Sequence, residues 1–99
     1  MPNTFQLDIV LPESPMPSRT VTAIDVPTAN GRVTILAHHQ PLLAALLAGS
    51  MTVTDDEEKK ETWAISGGAL QVENNVATLL VRNAQATAPN AEPGMANVE

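Results

Sequence analysis

The segment from Ser66 to Val81 constrains the fold of this chain more than any other. Its apolar residues recur at β-strand spacing on both sides of two adjacent asparagines; they are Leu70, Val72, Val76, Leu79 and Val81. Asparagine tolerates the positive φ of a two-residue hairpin turn, so Asn74-Asn75 predicts a tight turn between two strands. Gly67-Gly68 predicts a backbone bend before the first strand. Because an isolated hairpin is marginally stable in water, other strands must complete a sheet around it.

Further short strands are predicted along the chain. Phe5, Leu7, Ile9 and Leu11 alternate with more polar residues, and later strands are predicted around Val21, Val33, Met51 and Trp63. Asn30-Gly31 predicts a second hairpin turn, and the charged segment Asp55–Glu61 predicts a third. Short strands separated by proline and glycine are typical of an all-β sandwich or barrel. Residues 85–99 lack a periodic apolar face and are expected to form a flexible tail after a domain of residues 1–84.

The segment from Pro41 to Gly49 departs from strand alternation. Leu42, Leu43, Leu46 and Leu47 recur at helical spacing between a proline and a glycine. Two structures are therefore open here, one or two helical turns or a compact apolar loop. Four leucines are many for one short turn to bury in a thin sandwich, so they are either core residues or a partly exposed patch that docks another protein.

Composition excludes several functions. The formal net charge of −6 over 99 residues repels phosphate backbones and anionic headgroups, which argues against binding nucleic acid or lipid directly. The chain has no cysteine, so neither a disulfide nor a thiolate site is expected. There is no secretory signal pattern, and the longest apolar run is far shorter than the roughly 20 residues that span a bilayer. A soluble protein on the cytoplasmic side is expected, held at any membrane by another protein.

The residues that could carry chemistry do not form a site in the sequence. His38 and His39 are adjacent, so on a strand they point to opposite faces, and no acidic residue or cysteine lies near them as a further metal ligand. The carboxylates of residues 55–58 lack the order of a calcium loop. Gly67-Gly68 lacks the lysine and helix of a phosphate-binding loop, and Ser66 has no base placed to activate it. We therefore expect no catalytic residue, no metal and no cofactor.

Four segments in order carry a family resemblance. They are LDIVLPE (residues 7–13), GRVTILAHHQPLL (31–43), AGSMTV (48–53) and WAISGGALQVENNVATLL (63–80). Together, from about Phe5 to Ala84, they resemble the amino-terminal β-sandwich of the epsilon subunit of F-type ATP synthase, called delta in mitochondria.

The resemblance implies a flattened β-sandwich of about ten short strands in the central stalk, or rotor. Such a subunit is not a catalyst. It is present in one copy per complex, packs against the gamma subunit and sits on the polar loops of the membrane c-ring. There it couples ion translocation to ATP synthesis. The implied location is peripheral, on the cytoplasmic face of the bacterial inner membrane.

The resemblance also assigns residues. Those that would face gamma are Leu11, His39, Pro41, Leu42 and Leu43. Those of the ring-facing loop are Asn30, Gly31 and Arg32, and Gly67 and Gly68 correspond to a structural glycine pair. Ala37-His38-His39 stands where the family has Pro-Gly-His, which leaves that loop's geometry open. No segment corresponds to the family's C-terminal helical hairpin, so neither self-inhibition by that route nor nucleotide binding is expected.

Two rival functions are disfavoured. One is a small β-barrel enzyme that uses His38-His39, and the other is an adhesion or carbohydrate-binding sandwich. The latter usually stacks sugars on exposed aromatic side chains, whereas this chain has only Phe5 and Trp63.

Overall fold

A computed structural model describes residues 3–13 and 16–87, and these form nine β-strands. The strands are β1 (Phe5–Val10), β2 (Arg19–Thr28), β3 (Gly31–Leu36), β4 (Leu42–Leu46), β5 (Gly49–Asp55), β6 (Lys60–Ile65), β7 (Gly68–Glu73), β8 (Val76–Val81) and β9 (Ala84–Ala86). No helix long and apolar enough to cross a membrane occurs within these described ranges. The all-β prediction is confirmed.

The turn residues account for the hairpins. Asn74 and Asn75 have φ of 54° and 62°, and they join β7 to β8 as a two-residue turn with positive φ at both central positions. This prediction is confirmed. The hairpin of β2 and β3 is also present, but its turn residues are Ala29 and Asn30, because Thr28 pairs with Gly31. Gly31 has φ of 112°, a conformation that glycine adopts without strain.

All nine strands belong to one continuous sheet that folds back on itself. The hydrogen-bonded order is β1-β8-β7-β4-β2-β5-β6-β9, with β3 against β2 and a further pairing of β1 with β2. The first layer consists of β1, β8, β7 and β4. The second consists of β3, β2, β5, β6 and β9. The long strand β2 joins the layers at both ends, because its first residues pair with β1 and its last residue, Thr28, pairs with Leu46 of β4.

The core lies between the layers and is almost entirely aliphatic. Fully buried side chains include Leu7, Ile24, Ile35, Met51, Leu70 and Leu79. A register shift in the pairing of β2 with β5, between Val21 and Ala23, bends β2 where it leaves β1 and enters the second layer. Successive side chains along each strand point alternately into the core and out to solvent. Each layer therefore has its own outer face.

Both structures considered for Pro41–Gly49 are wrong, because the segment contains strand β4. β4 pairs with β7 along its whole length, from Leu42 opposite Val72 to Leu46 opposite Gly68. Residues 42–47 are apolar at every position, and such a run fits a buried strand and a helix segment equally well. Pairing with β7 decides between them, and that pairing is a tertiary contact that the local sequence does not contain.

The described chain continues past the predicted domain boundary at residue 84. Ala84, Gln85 and Ala86 form β9, which pairs with β6 opposite Ile65, Ala64 and Trp63. The first residues of the predicted tail are therefore part of the sheet. The remainder of that tail, residues 88–99, lies outside the described residues, as does the expectation about a helical hairpin.

Candidate protein-docking face

The outer face of the first layer carries an apolar row that crosses four strands. Strand register places Val10 beside Leu80, Leu80 beside Ala69, and Ala69 beside Ala45. We call these four residues the apolar row. Neighbouring strands lie about 5 Å apart, so the row forms a continuous strip roughly 15 Å long.

Two leucines extend this row into a wider surface. Leu43 lies two residues before Ala45 on the same side of β4 and is 76% exposed. Leu47 follows β4 and is 50% exposed. Its N–H still donates to the Pro27 carbonyl, so the alternation continues and puts its side chain on the same side. The apolar row together with Leu43 and Leu47 is called the docking face below. Contiguous exposed apolar surface of this kind indicates contact with another protein.

One end of the docking face is bordered by polar residues. The next row along the strands consists of Leu43, Gln71, Thr78 and Asp8. The Gln71 amide donates to a Glu73 carboxylate oxygen at 3.1 Å, and the Ser18 hydroxyl donates to Asp8 at 2.6 Å. An apolar centre with a polar rim is the usual anatomy of a protein–protein interface.

The other end of the docking face contains a shallow groove with a glycine backbone in its wall. The groove has a volume of about 350 Å³, and its lining includes Val10, Leu80, Gly67, Gly68 and Arg82. A Cβ on Gly68 would overlap the Leu80 carbonyl oxygen, and a Cβ on Gly67 would lie 3.2 Å from the Leu46 carbonyl oxygen. The glycine pair therefore permits close approach of neighbouring backbones at this groove.

The five residues that the resemblance assigns to gamma lie at two ends of the first layer. Leu43 lies on the docking face, whereas Leu42, its neighbour on β4, points between the layers and packs against the core. Leu11 also packs against the core, at the opposite end of the layer from Pro41. Pro41 is exposed and His39 is half-buried in the loop before β4. Leu42 is only partly buried, and it lines a shallow pocket together with Pro41 and Leu43. Leu11 lines the groove at the other end of the docking face, beside Val10 and Leu80.

Sequence reasoning misses Val10 and Leu80, which are two of the four residues in the apolar row. Leu80 stands between Leu79 and Val81, which are both buried, so the uninterrupted apolar run conceals an outward side chain. The parallel pairing of β1 with β8 brings Val10 beside Leu80 across seventy positions of sequence. Alternation along β8 from the buried Leu79 predicts that Leu80 points outward. No local sequence signal predicts that Val10 lies beside Leu80.

The predicted ring-facing turn, Asn30–Arg32, adjoins the docking face. The Ala29 N–H donates to the carbonyl of Ala45 in the apolar row at 3.0 Å. Asn30 and Gly31 are exposed at the tip, whereas the Arg32 guanidinium reaches back to the Ser50 carbonyl at 2.9 Å. The turn and the docking face therefore meet at one end of the molecule.

The outer face of the second layer is polar by comparison. One of its rows consists of Thr34, Asp25, Thr52 and Thr62. Its exposed leucine, Leu36, is 56% exposed, but the residues in its row are Ala23, Thr54 and Lys60. Among the described residues, a four-strand apolar row occurs on the first layer and not on the second.

The carboxylates with shifted pKa values serve the fold. Arg19 donates to both carboxylate oxygens of Glu61, at 2.8 and 3.2 Å, and this hydrogen bonding, aided by the Trp63 indole N–H, lowers the Glu61 pKa. The Lys59 backbone N–H donates to Asp55 at 2.9 Å and lowers the pKa of Asp55. No group of three or more histidine, cysteine or acidic side chains that could hold a metal ion occurs in the part of the chain described.

Comparison with known proteins identifies related sequences. Residues 4–87 match the family described as "ATP synthase, Delta/Epsilon chain, beta-sandwich domain". The ATP synthase epsilon chain of Bartonella henselae is 34% identical over 79 residues, which cover 80% of this chain and 56% of that relative. The ATP synthase epsilon chain of Chlorobaculum tepidum is 37% identical over 76 residues, which cover 77% of this chain and 86% of that relative. The chain thus spans about half the length of the first relative and most of the second.

Solved structures share the fold. A chain in the cryo-EM structure of the Euglena gracilis mitochondrial ATP synthase (OSCP, F1 and c-ring, rotational state 1) matches with a TM-score of 0.81 and 25% identity, covering 87% of this chain and 55% of that one. A second match is a chain in the cryo-EM structure of the Tetrahymena thermophila mitochondrial ATP synthase central stalk and c-ring. Its TM-score is 0.68 at 14% identity, and the match covers 80% of this chain and 63% of that one. From its family match and its fold, this chain belongs to the β-sandwich domain family of ATP synthase delta and epsilon chains.

Proposed function

We propose that this chain is a non-catalytic central-stalk subunit of an F-type ATP synthase and that its docking face binds the γ subunit. The observation that carries this proposal is the apolar row across four strands, with Leu80 48% exposed at its centre. Burial of Leu43 and Leu80 against a partner would contribute about 1–2 kcal/mol each, because fully burying a leucine is worth about 1.5–3 kcal/mol. Relatives named ATP synthase epsilon chain support the assignment to this complex.

The turn Asn30–Arg32 is proposed to contact the polar loops of the c-ring. It adjoins the docking face through the hydrogen bond of Ala29 to Ala45, so γ and the ring would meet this subunit at neighbouring surfaces. The subunit would then be peripheral, on the cytoplasmic face of a bacterial inner membrane. Its net charge of −6 disfavours binding to anionic lipid, so protein contacts would hold it there.

A mechanical role suits the sheet topology. Torque applied at the docking face loads β1, β8, β7 and β4, whose ladders resist shear through hydrogen bonds. Strand β2 pairs with both β1 and β4 at its two ends and carries load into the second layer. The proposed contribution to coupling is therefore stiffness between γ and the ring, with no chemical step in this chain.

The substitution Leu80→Asp tests the docking face. Leu80 is half-exposed in the isolated chain, so an aspartate there can remain hydrated and the domain should fold. In a complex with γ the carboxylate would be buried without a partner, and we expect affinity to fall at least about 100-fold. Isothermal titration of purified γ with each variant measures this.

Leu36→Asp is the matched control, since it replaces a similarly exposed leucine on the polar layer. We expect its affinity for γ to stay within about twofold of the unmodified chain. Equal affinities of the Leu80→Asp and unmodified chains for γ would contradict the proposal.

A further inference from the structure

Asn75 makes three hydrogen bonds to two segments that are distant in the sequence. Its main-chain carbonyl accepts from the Gln6 N–H at 3.1 Å, and its side-chain Nδ2 donates to the Thr4 carbonyl at 2.9 Å. Its Oδ1 accepts from the His38 N–H at 2.7 Å. One turn residue therefore ties the start of β1 and the loop between β3 and β4 to the β7–β8 hairpin.

The contact with His38 is made where the backbone is conformationally restricted. His38 has φ of 63°, a region that residues with a Cβ rarely occupy. The loop from Ala37 to Pro41 carries the chain from the second layer to the first, and Leu43 of the docking face follows directly. His38 thus lies in the loop that leads into β4, and the Asn75 side chain supplies the His38 N–H with an acceptor.

We propose that Asn75 is a positioning residue for partner binding, which holds the His38 loop so that Pro41 and Leu43 are presented in the orientation that γ recognises. This inference rests on the proposed function. Without the hydrogen bond the loop samples other conformations, and the apparent affinity is reduced in proportion to the fraction of molecules that remain competent to bind. Loss of one such bond is expected to weaken binding about 3- to 10-fold.

The turn offers a matched pair of substitutions. Asn75→Gly keeps a residue suited to positive φ and removes the side-chain amide, whereas Asn74→Gly makes the same change at the neighbouring exposed position, whose φ is 54°. Both full-length variants should fold. We expect Asn75→Gly to bind purified γ about 3- to 10-fold more weakly and the His38 amide to exchange hydrogen at least about 10-fold faster. Asn74→Gly should leave both quantities within about twofold.

Asn75→Asp separates positioning from a purely structural role. It retains an acceptor for the His38 N–H but cannot donate to the Thr4 carbonyl. Positioning of the loop predicts γ affinity within about twofold of the unmodified chain. A role limited to holding the N-terminal segment predicts binding as weak as that of Asn75→Gly, and that result would overturn the inference.

Comparison with Leu80→Asp distinguishes this inference from the proposed function. Normal binding of γ by Asn75→Gly, together with impaired binding by Leu80→Asp, would refute the positioning role and leave the docking face intact. Normal binding by both variants would refute both proposals.

Discussion

Gly68→Ala should destabilise the domain because the new methyl group has no room. An ideal Cβ at this position overlaps the Leu80 carbonyl oxygen and also lies 3.0 Å from a Val81 methyl carbon. Gly68 pairs with Val81, so the obstructing atoms belong to the adjoining ladder strand. β8 cannot retreat without loss of hydrogen bonds to β7, and a rotamer change of a flexible side chain cannot relieve the overlap.

The size of the effect follows from two opposing contributions. Overpacking of a well-packed site costs about 1–3 kcal/mol, and here a backbone atom must shift, which favours the upper part of that range. Replacement of glycine by alanine also restricts the unfolded chain, which returns about 0.4–1 kcal/mol. The net loss in free energy of unfolding should be about 1–2.5 kcal/mol. For a domain of this size the melting temperature should then fall by roughly 4–20 °C.

Thermal unfolding followed by circular dichroism measures the shift, and Gly49→Ala provides the control. An ideal Cβ on Gly49 lies 3.4 Å from the Pro27 Cγ, which is ordinary van der Waals contact with a side chain. Its melting temperature should stay within a few degrees of the unmodified chain or rise slightly, since about 1 kcal/mol corresponds to roughly 4–8 °C. If Gly68→Ala melted at or above the temperature of the unmodified chain, the close-approach argument would be refuted.

Two further predictions concern stability. Hydrogen bonds from Arg19 hold the Glu61 pKa below its ordinary value of 4.5. The ionised carboxylate therefore stabilises the folded state at pH values above the unfolded-state pKa. That stabilisation is lost as the pH falls through the lower folded-state pKa. Urea unfolding at a series of pH values from about 6 to 3 should therefore show a shallower loss of stability for Glu61→Gln than for the unmodified chain, and parallel profiles would contradict the assignment. Leu42→Asp places a charge at a partly buried position against the core, so it should lower the free energy of unfolding by about 1–3 kcal/mol. Leu43→Asp, at a position 76% exposed, should change it by less than about 0.5 kcal/mol. Equal stability of the two variants would show that both leucines face solvent.

The sequence contains enough local information for the strands and turns but not for the docking face. Asn74-Asn75 identifies its turn because few residues tolerate positive φ twice in succession, and the observed φ values agree. For Leu42–Leu46 the local apolar run fits a helix segment and a buried strand equally well, so helix or loop is predicted where the structure has a strand. Leu42 and Leu43 are alike in the sequence, and strand alternation sends one to the core and the other to solvent.

Composition, charge and turn chemistry by themselves determine that this chain is an acidic all-β domain. Those properties depend on single residues and their near neighbours. The tertiary structure alone decides that Val10, Leu80, Ala69 and Ala45 form one row, and that Asn75 reaches both Thr4 and His38. Both arrangements depend on which strands pair and in what register, and pairing is set by the burial of the whole core rather than by any segment alone.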